Sequence, residues 1–114
     1  VATSDRWDAS AWPDQRATAI ETANPYPAKH AQTFTLQIPG AKHVAARFAR
    51  FKTEANFDRV SFTNAAGESL GEWSGERAPG SYSPIADGDT LVIKFTSDDN
   101  VQFEGFAIDG LAVE

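Results

Sequence analysis

The chain contains no cysteine and no methionine among its 114 residues. Without cysteine there is no disulfide framework, no thiolate nucleophile and no zinc–thiolate site. No apolar run approaches the ~20 residues that a membrane-spanning helix requires. Basic charge is scarce: 10 Lys and Arg stand against 16 Asp and Glu, a net charge of −6. That balance lacks the basic footprint needed for nucleic acid or an anionic membrane surface, and it suits a cation or a basic partner. The opening Val1-Ala2-Thr3-Ser4-Asp5 has neither the basic nor the apolar region of a signal peptide. Sustained helical periodicity, internal repeats and low-complexity tracts are also missing.

Catalytic combinations are equally scarce. His30 and His43 stand apart from any nucleophile with an orienting partner, so both read as surface residues. Ser74, Ser81, Ser83 and Ser97 have no Gly-x-Ser-x-Gly context and read the same way. Paired carboxylates cleave glycosides across a cleft, whereas the acidic groups here fall side by side on loops. The chain therefore reads as a binding module and not as an enzyme.

Hydrophobic residues make up 41% of the chain and Phe occurs 8 times, enough for one core in one compact domain. Residues 1–15 read as an N-terminal arm and 16–114 as the domain. Gln15–Thr22 permits a short helix, but its alternation favours a first strand. Thr33–Ile38 alternates cleanly, with Phe34, Leu36 and Ile38 on one face, as a half-buried antiparallel strand does. Val44, Ala46 and Phe48 repeat the pattern with Arg47 opposite. Val60 and Phe62 lead into the hairpin loop Asn64-Ala65-Ala66-Gly67, and Glu68–Trp73 is the return strand. Gly75–Tyr82 reads as loop. Asp87-Gly88 turns into Thr90–Phe95, and Gly105–Ile108 forms a last strand near Leu111–Val113. Phe34, Phe48, Phe62, Phe95 and Phe106 are the expected core. Short strands at regular spacing mean an all-β sandwich or barrel.

Two acidic segments organise the rest. Phe51-Lys52-Thr53-Glu54-Ala55-Asn56-Phe57-Asp58-Arg59-Val60 lies next to one strand-like run, and Phe95-Thr96-Ser97-Asp98-Asp99-Asn100-Val101 next to another. Acidic side chains at neighbouring strand ends repel unless something positive lies between them, and no Lys or Arg run is at hand. A hard cation is the simplest candidate, because calcium takes carboxylates and carbonyls as ligands. Ordinary solvated turn residues are the competing account.

One ordered set of motifs resembles a known family. It comprises Asn24-Pro25-Tyr26-Pro27, Pro39-Gly40-Ala41, Phe51-Lys52-Thr53-Glu54, Phe57-Asp58, Gly75, Phe95-Thr96-Ser97-Asp98 and Gly105-Phe106. The set, from about Ile20 to the C-terminus, resembles the CUB domain, and most closely the cysteine-free CUB-like domains of bacterial secreted proteins. The resemblance implies a jelly-roll-type antiparallel β-sandwich, an extracellular location and one Ca2+ ion. It places the metal ligands at Glu54, Asp58, Asp98 and the Asn100 region, with the Val101 carbonyl and waters completing the shell. Tyr26 and Ser97 would support the site. Two departures are plain: the disulfide cysteines of animal CUB domains are missing, and Glu54 lies closer to Asp58 than the corresponding pair there.

The expected partner is a protein ligand bearing a basic residue, engaged near the calcium end, with no nucleic acid and no membrane insertion. The alternative is glycan binding by a carbohydrate-binding module appended to a secreted hydrolase, with Trp7 and Tyr82 as stacking aromatics. A further alternative is a purely structural accessory domain of a secreted protease. Trp12 and Trp73 read as packed residues, while Trp7 stays open between arm packing and ligand stacking. Arg47, Arg50, Lys52 and Arg59 read as a solvated strand face.

Overall fold

A computed structural model describes residues 9–22, 26, 29, 31–98 and 103–114. Among the described residues, a 3-10 turn at Ala9–Ala11 precedes ten strands. They are β1 (Asp14–Glu21), β2 (Ala31–Gln37), β3 (His43–Lys52), β4 (Arg59–Thr63), β5 (Ser69–Trp73), β6 (Glu76–Arg77), β7 (Ser81–Tyr82), β8 (Ala86–Asp87), β9 (Thr90–Thr96) and β10 (Gly105–Val113). One sheet runs β1-β10-β3, with β6, β7 and β8 all pairing along the free side of β3. The other runs β2-β9-β4-β5. Every pairing is antiparallel, so the fold is the expected antiparallel β-sandwich of jelly-roll type.

Alternation explains which side chains fill the space between the sheets. Val60 and Phe62 of β4, Leu91, Ile93 and Phe95 of β9, and Phe106 and Ile108 of β10 are all buried. Phe48 lies at the middle, its ring meeting those of Phe51, Phe62, Trp73 and Phe106 at centroid distances of 5.1–6.1 Å. Most of these pairs meet edge to face, the orientation favoured by the ring quadrupole. Phe34 is only half-buried but packs on Phe106.

A second, smaller cluster lies on the outer face of the larger sheet. Trp12 and Ala9 cover Ala45 and Ala112, and Tyr82 and Ile85 pack beside them. This explains why β3 is buried at Ala45 and Ala46 alike: its two faces meet different cores.

Four differences from the sequence reading have physical causes. β1 begins at Asp14, inside the segment set apart as an arm, because Asp14 and Gln15 pair with Val113 and Ala112. Gly75–Tyr82 is not all loop. β3 is long, and its outer backbone groups must be satisfied, which β6 and β7 do with two residues each, too few to show alternation. The C-terminal segments form one strand, carried through register shifts at Ala107/Ile108 and Ile108/Gly110 that mask its period. His43 and Ser83 are buried, not on the surface. Ser83 Oγ accepts from the Ala46 amide at 2.9 Å, and His43 lies between two carboxylates. His30 lies outside the described residues.

Candidate metal centre

The site is built on the short turn that follows β3. Thr53 is buried and fixes both ends of that turn: its hydroxyl donates to Asp58 O at 3.0 Å and accepts from the Gly75 amide at 3.0 Å. Within it, the Phe57 and Asp58 amides both donate to Glu54 O. Asn56 takes φ +69°, a conformation that Asn adopts more readily than most residues. The Asn56 amide donates to Ser74 Oγ, and Arg59 closes two hydrogen bonds on Asn56 O. Glu54 and Asp58 both enter the acidic cluster described below, while Phe57 between them in sequence is exposed to solvent.

Tyr26 joins this turn to the rest. Its ring meets Phe95 edge-on at 4.9 Å, and its hydroxyl donates to Asp58 Oδ2 while accepting from the Glu54 amide at 3.2 Å. Burial, and then the hydrogen bond to the Asp58 carboxylate, push the phenol up to about 12. The Tyr26 amide donates to Phe103 O and the Lys29 amide to Asp98 O, so the early segment is fastened to the loop after β9. That loop brings Asp98, whose amide donates to Asp58 Oδ1 at 2.9 Å. Gly105 makes the junction feasible. At φ +76°, a Cβ there would meet Thr22 Oγ1 at 1.9 Å and the Tyr26 ring at 3.3 Å.

The outcome is a convergence of carboxylates. One ligand atom each from Glu54, Asp58 and Asp98 lies within 4.8 Å of the others. Asp58 is fully buried, yet among the described residues it receives only the Tyr26 hydroxyl and the Asp98 amide, both neutral donors. Glu54 Oε1 is covered from solvent and finds no hydrogen-bond donor among the described residues. Burial, followed by the negative charges of Asp98 and Asp58, raises the Glu54 carboxyl above its ordinary value. A buried carboxylate is costly unless paired or coordinating a metal. Three hard oxygen donors with an orphaned atom among them fit a hard cation, and calcium accepts the remaining carbonyl and water ligands at such a site.

The other residues singled out fall elsewhere. Ser97 is half-buried just past β9. Asn100, Val101 and Trp7 lie outside the described residues. Tyr82 is half-buried against the Trp12 cluster, and its hydroxyl donates to Gln15 Oε1 at 3.0 Å. Arg47 pairs with Asp109, Arg50 with Glu21 and Arg59 with Glu72, on exposed faces. Phe57, noted in the sequence only as part of a motif, is 65% exposed. A lone aromatic in a polar turn, off the alternation of either flanking strand, was its signal.

The comparisons with known proteins agree with this architecture. The chain superposes on the full extracellular region of zebrafish Gpr126/Adgrg6 with a TM-score of 0.72, at 23% identity over 87% of its length. It superposes on the CUB1-EGF-CUB2 domain of human MASP-1/3 with a TM-score of 0.72, at 18% identity over 87% of its length. It spans 14% of the first of those chains and 42% of the second. The MASP-1 CUB2 domain bound to Ca2+ superposes with a TM-score of 0.65 at 20% identity, over 83% of this chain and 91% of that one. At such identities the likeness is one of fold. No curated protein matches the sequence. The family model of the CUB domain, however, matches residues 10–109, and the chain belongs to the CUB family.

Proposed function

We propose that this CUB domain holds one calcium ion between Glu54, Asp58 and Asp98 and uses that end of the sandwich to bind a protein ligand bearing a basic residue, outside the cell. The observation that carries this is the convergence of the three carboxylates, one of them fully buried, with a covered Glu54 oxygen that finds no hydrogen-bond donor among the described residues. The ion would supply the missing positive charge and lock the turn after β3 to the loop after β9. Tyr26 would orient Asp58, and the Asn100 and Val101 region would add ligands from the late loop. CUB domains occur in extracellular proteins as interaction modules, and a neighbour in fold is a CUB domain bound to Ca2+. Recognition, not catalysis, is then the task of the module. Tyr82, half-buried with its hydroxyl engaged, lends no support to glycan stacking.

Thermal unfolding in EGTA and then in ~10–100 mM calcium tests the reading. Extracellular modules bind calcium with Kd on the order of 10⁻⁴–10⁻³ M. Saturation at 100 times Kd adds about 2.7 kcal/mol, a rise in Tm on the order of 10 °C for a domain of this size. Asp58→Ala and Asp98→Ala are expected to abolish that rise. A melt indifferent to calcium would sink the proposal.

A further inference from the structure

Phe57 is the one large hydrophobic side chain among the described residues that the fold leaves exposed, at 65%. Its position is set by the site, since it lies between Glu54 and Asp58 in sequence. Adjacent Cα atoms are about 3.8 Å apart, so the ring projects from the residue next to the buried Asp58 carboxylate. The turn that carries it is held before any partner arrives. The Asn56 amide is bound to Ser74, the Asn56 carbonyl to Arg59, and the Phe57 amide to Glu54 O. An aromatic ring on a pre-set backbone forfeits little entropy on docking, which is why aromatics serve as interface anchors. Beside it lies the acidic end of a chain whose net charge is −6.

We infer that Phe57 is the apolar anchor of the recognition surface at this end. Its partner is a protein segment in which a Lys or Arg has a large apolar residue within two positions. The cationic side chain faces the carboxylates, and the apolar neighbour packs on the Phe57 ring. This assignment rests on the calcium reading above for the shape of the surface, but its content is the ring and what packs on it.

The test is peptide display on the 114-residue domain in millimolar calcium, with heptapeptides carrying a fixed central Lys and six random positions. Selected peptides are expected to be enriched in Leu, Ile, Phe, Tyr or Trp within two positions of the Lys. Phe57→Ser should weaken the best peptide at least tenfold, and Phe57→Trp should retain it. Both variants should keep the full calcium-induced rise in Tm, which shows that the turn and the ion site are intact. Selection without apolar preference, or peptides indifferent to Phe57→Ser, would overturn the assignment. Calcium-dependent sedimentation with phosphatidylserine vesicles, lost in Phe57→Ser, would overturn it in favour of a membrane anchor. Peptides that need Phe57 in a domain whose melt ignores calcium would overturn the calcium reading and leave the anchor standing.

Discussion

The two ends of β3 gather carboxylates in different ways: solvent-accessible ones around a buried imidazole at one end, and a cluster with one fully buried carboxylate at the other. At its start, His43 is buried between two carboxylates, with Nδ1 2.6 Å from Glu114 Oε1 and Nε2 3.1 Å from Asp87 Oδ1. Trp12 covers the imidazole, ring centroids 6.2 Å apart. Past its other end, some ten residues and roughly 30 Å away, Glu54, Asp58 and Asp98 converge, with only neutral donors on Asp58 among the described residues. The first cluster includes an imidazole of the chain itself; in the second, on the calcium reading proposed above, the positive charge would come from an external ion.

That contrast can be broken deliberately, and the largest effect is expected at Gly105. Gly105→Ala forces a Cβ into Thr22 and Tyr26 at a positive φ. The variant is expected to lose about 3 kcal/mol by urea denaturation, from strain and overpacking together, and to lose its calcium response as Tyr26 is displaced. Asp58→Asn comes next. Calcium should no longer raise its Tm, removing the ~2.7 kcal/mol available at 100 times Kd, while in EGTA it should melt no lower than the wild type. His43→Ala should cost about 1–3 kcal/mol, because it empties the buried imidazole site beside Trp12. Its calcium-induced shift should match that of the wild type, since the two ends are separate. Tyr26→Phe keeps the ring on Phe95 and deletes only the hydroxyl. Titration calorimetry should show calcium affinity about 10-fold weaker, the usual scale for a group that orients a ligand.

The smallest effect is in pH. The metal-free fold raises the Glu54 carboxyl above its ordinary 4.5, first through burial and then through Asp98 and Asp58. The folded state then holds a proton that the unfolded chain has released. The stability of the metal-free domain therefore falls as pH rises from 4.5 through the raised value. Melts in EGTA across the acid range should show this slope, and Glu54→Gln should flatten it. In calcium the ionised form is the ligand, so the slope should reverse.

The sequence made some of this legible and concealed the rest for definite reasons. β2 and β9 could be placed because each spans enough residues for alternation to show. β6, β7 and β8 could not, since each has two residues and owes its existence to the backbone of β3. The acidic turns could be brought together on paper because each follows a strand end. That Asp58 is the fully buried one, and that Glu54 Oε1 is orphaned, depends on packing by Tyr26 and the late loop. His43 appeared isolated because its partners lie 44 and 71 positions further along the chain, at Asp87 and Glu114. Phe57 could be seen in the sequence, but that it projects instead of tucking inward depends on how the folded turn presents it.

The patchwork along β3 has one more consequence. A long strand with a bare flank offers a ladder of amide and carbonyl groups on which another chain can polymerise. Here that flank is closed by three separate two-residue strands, with Gly80 and Gly88 turning the backbone between and after them. No continuous row is left to copy. Two molecules pressed together along this side find interruptions instead of a template.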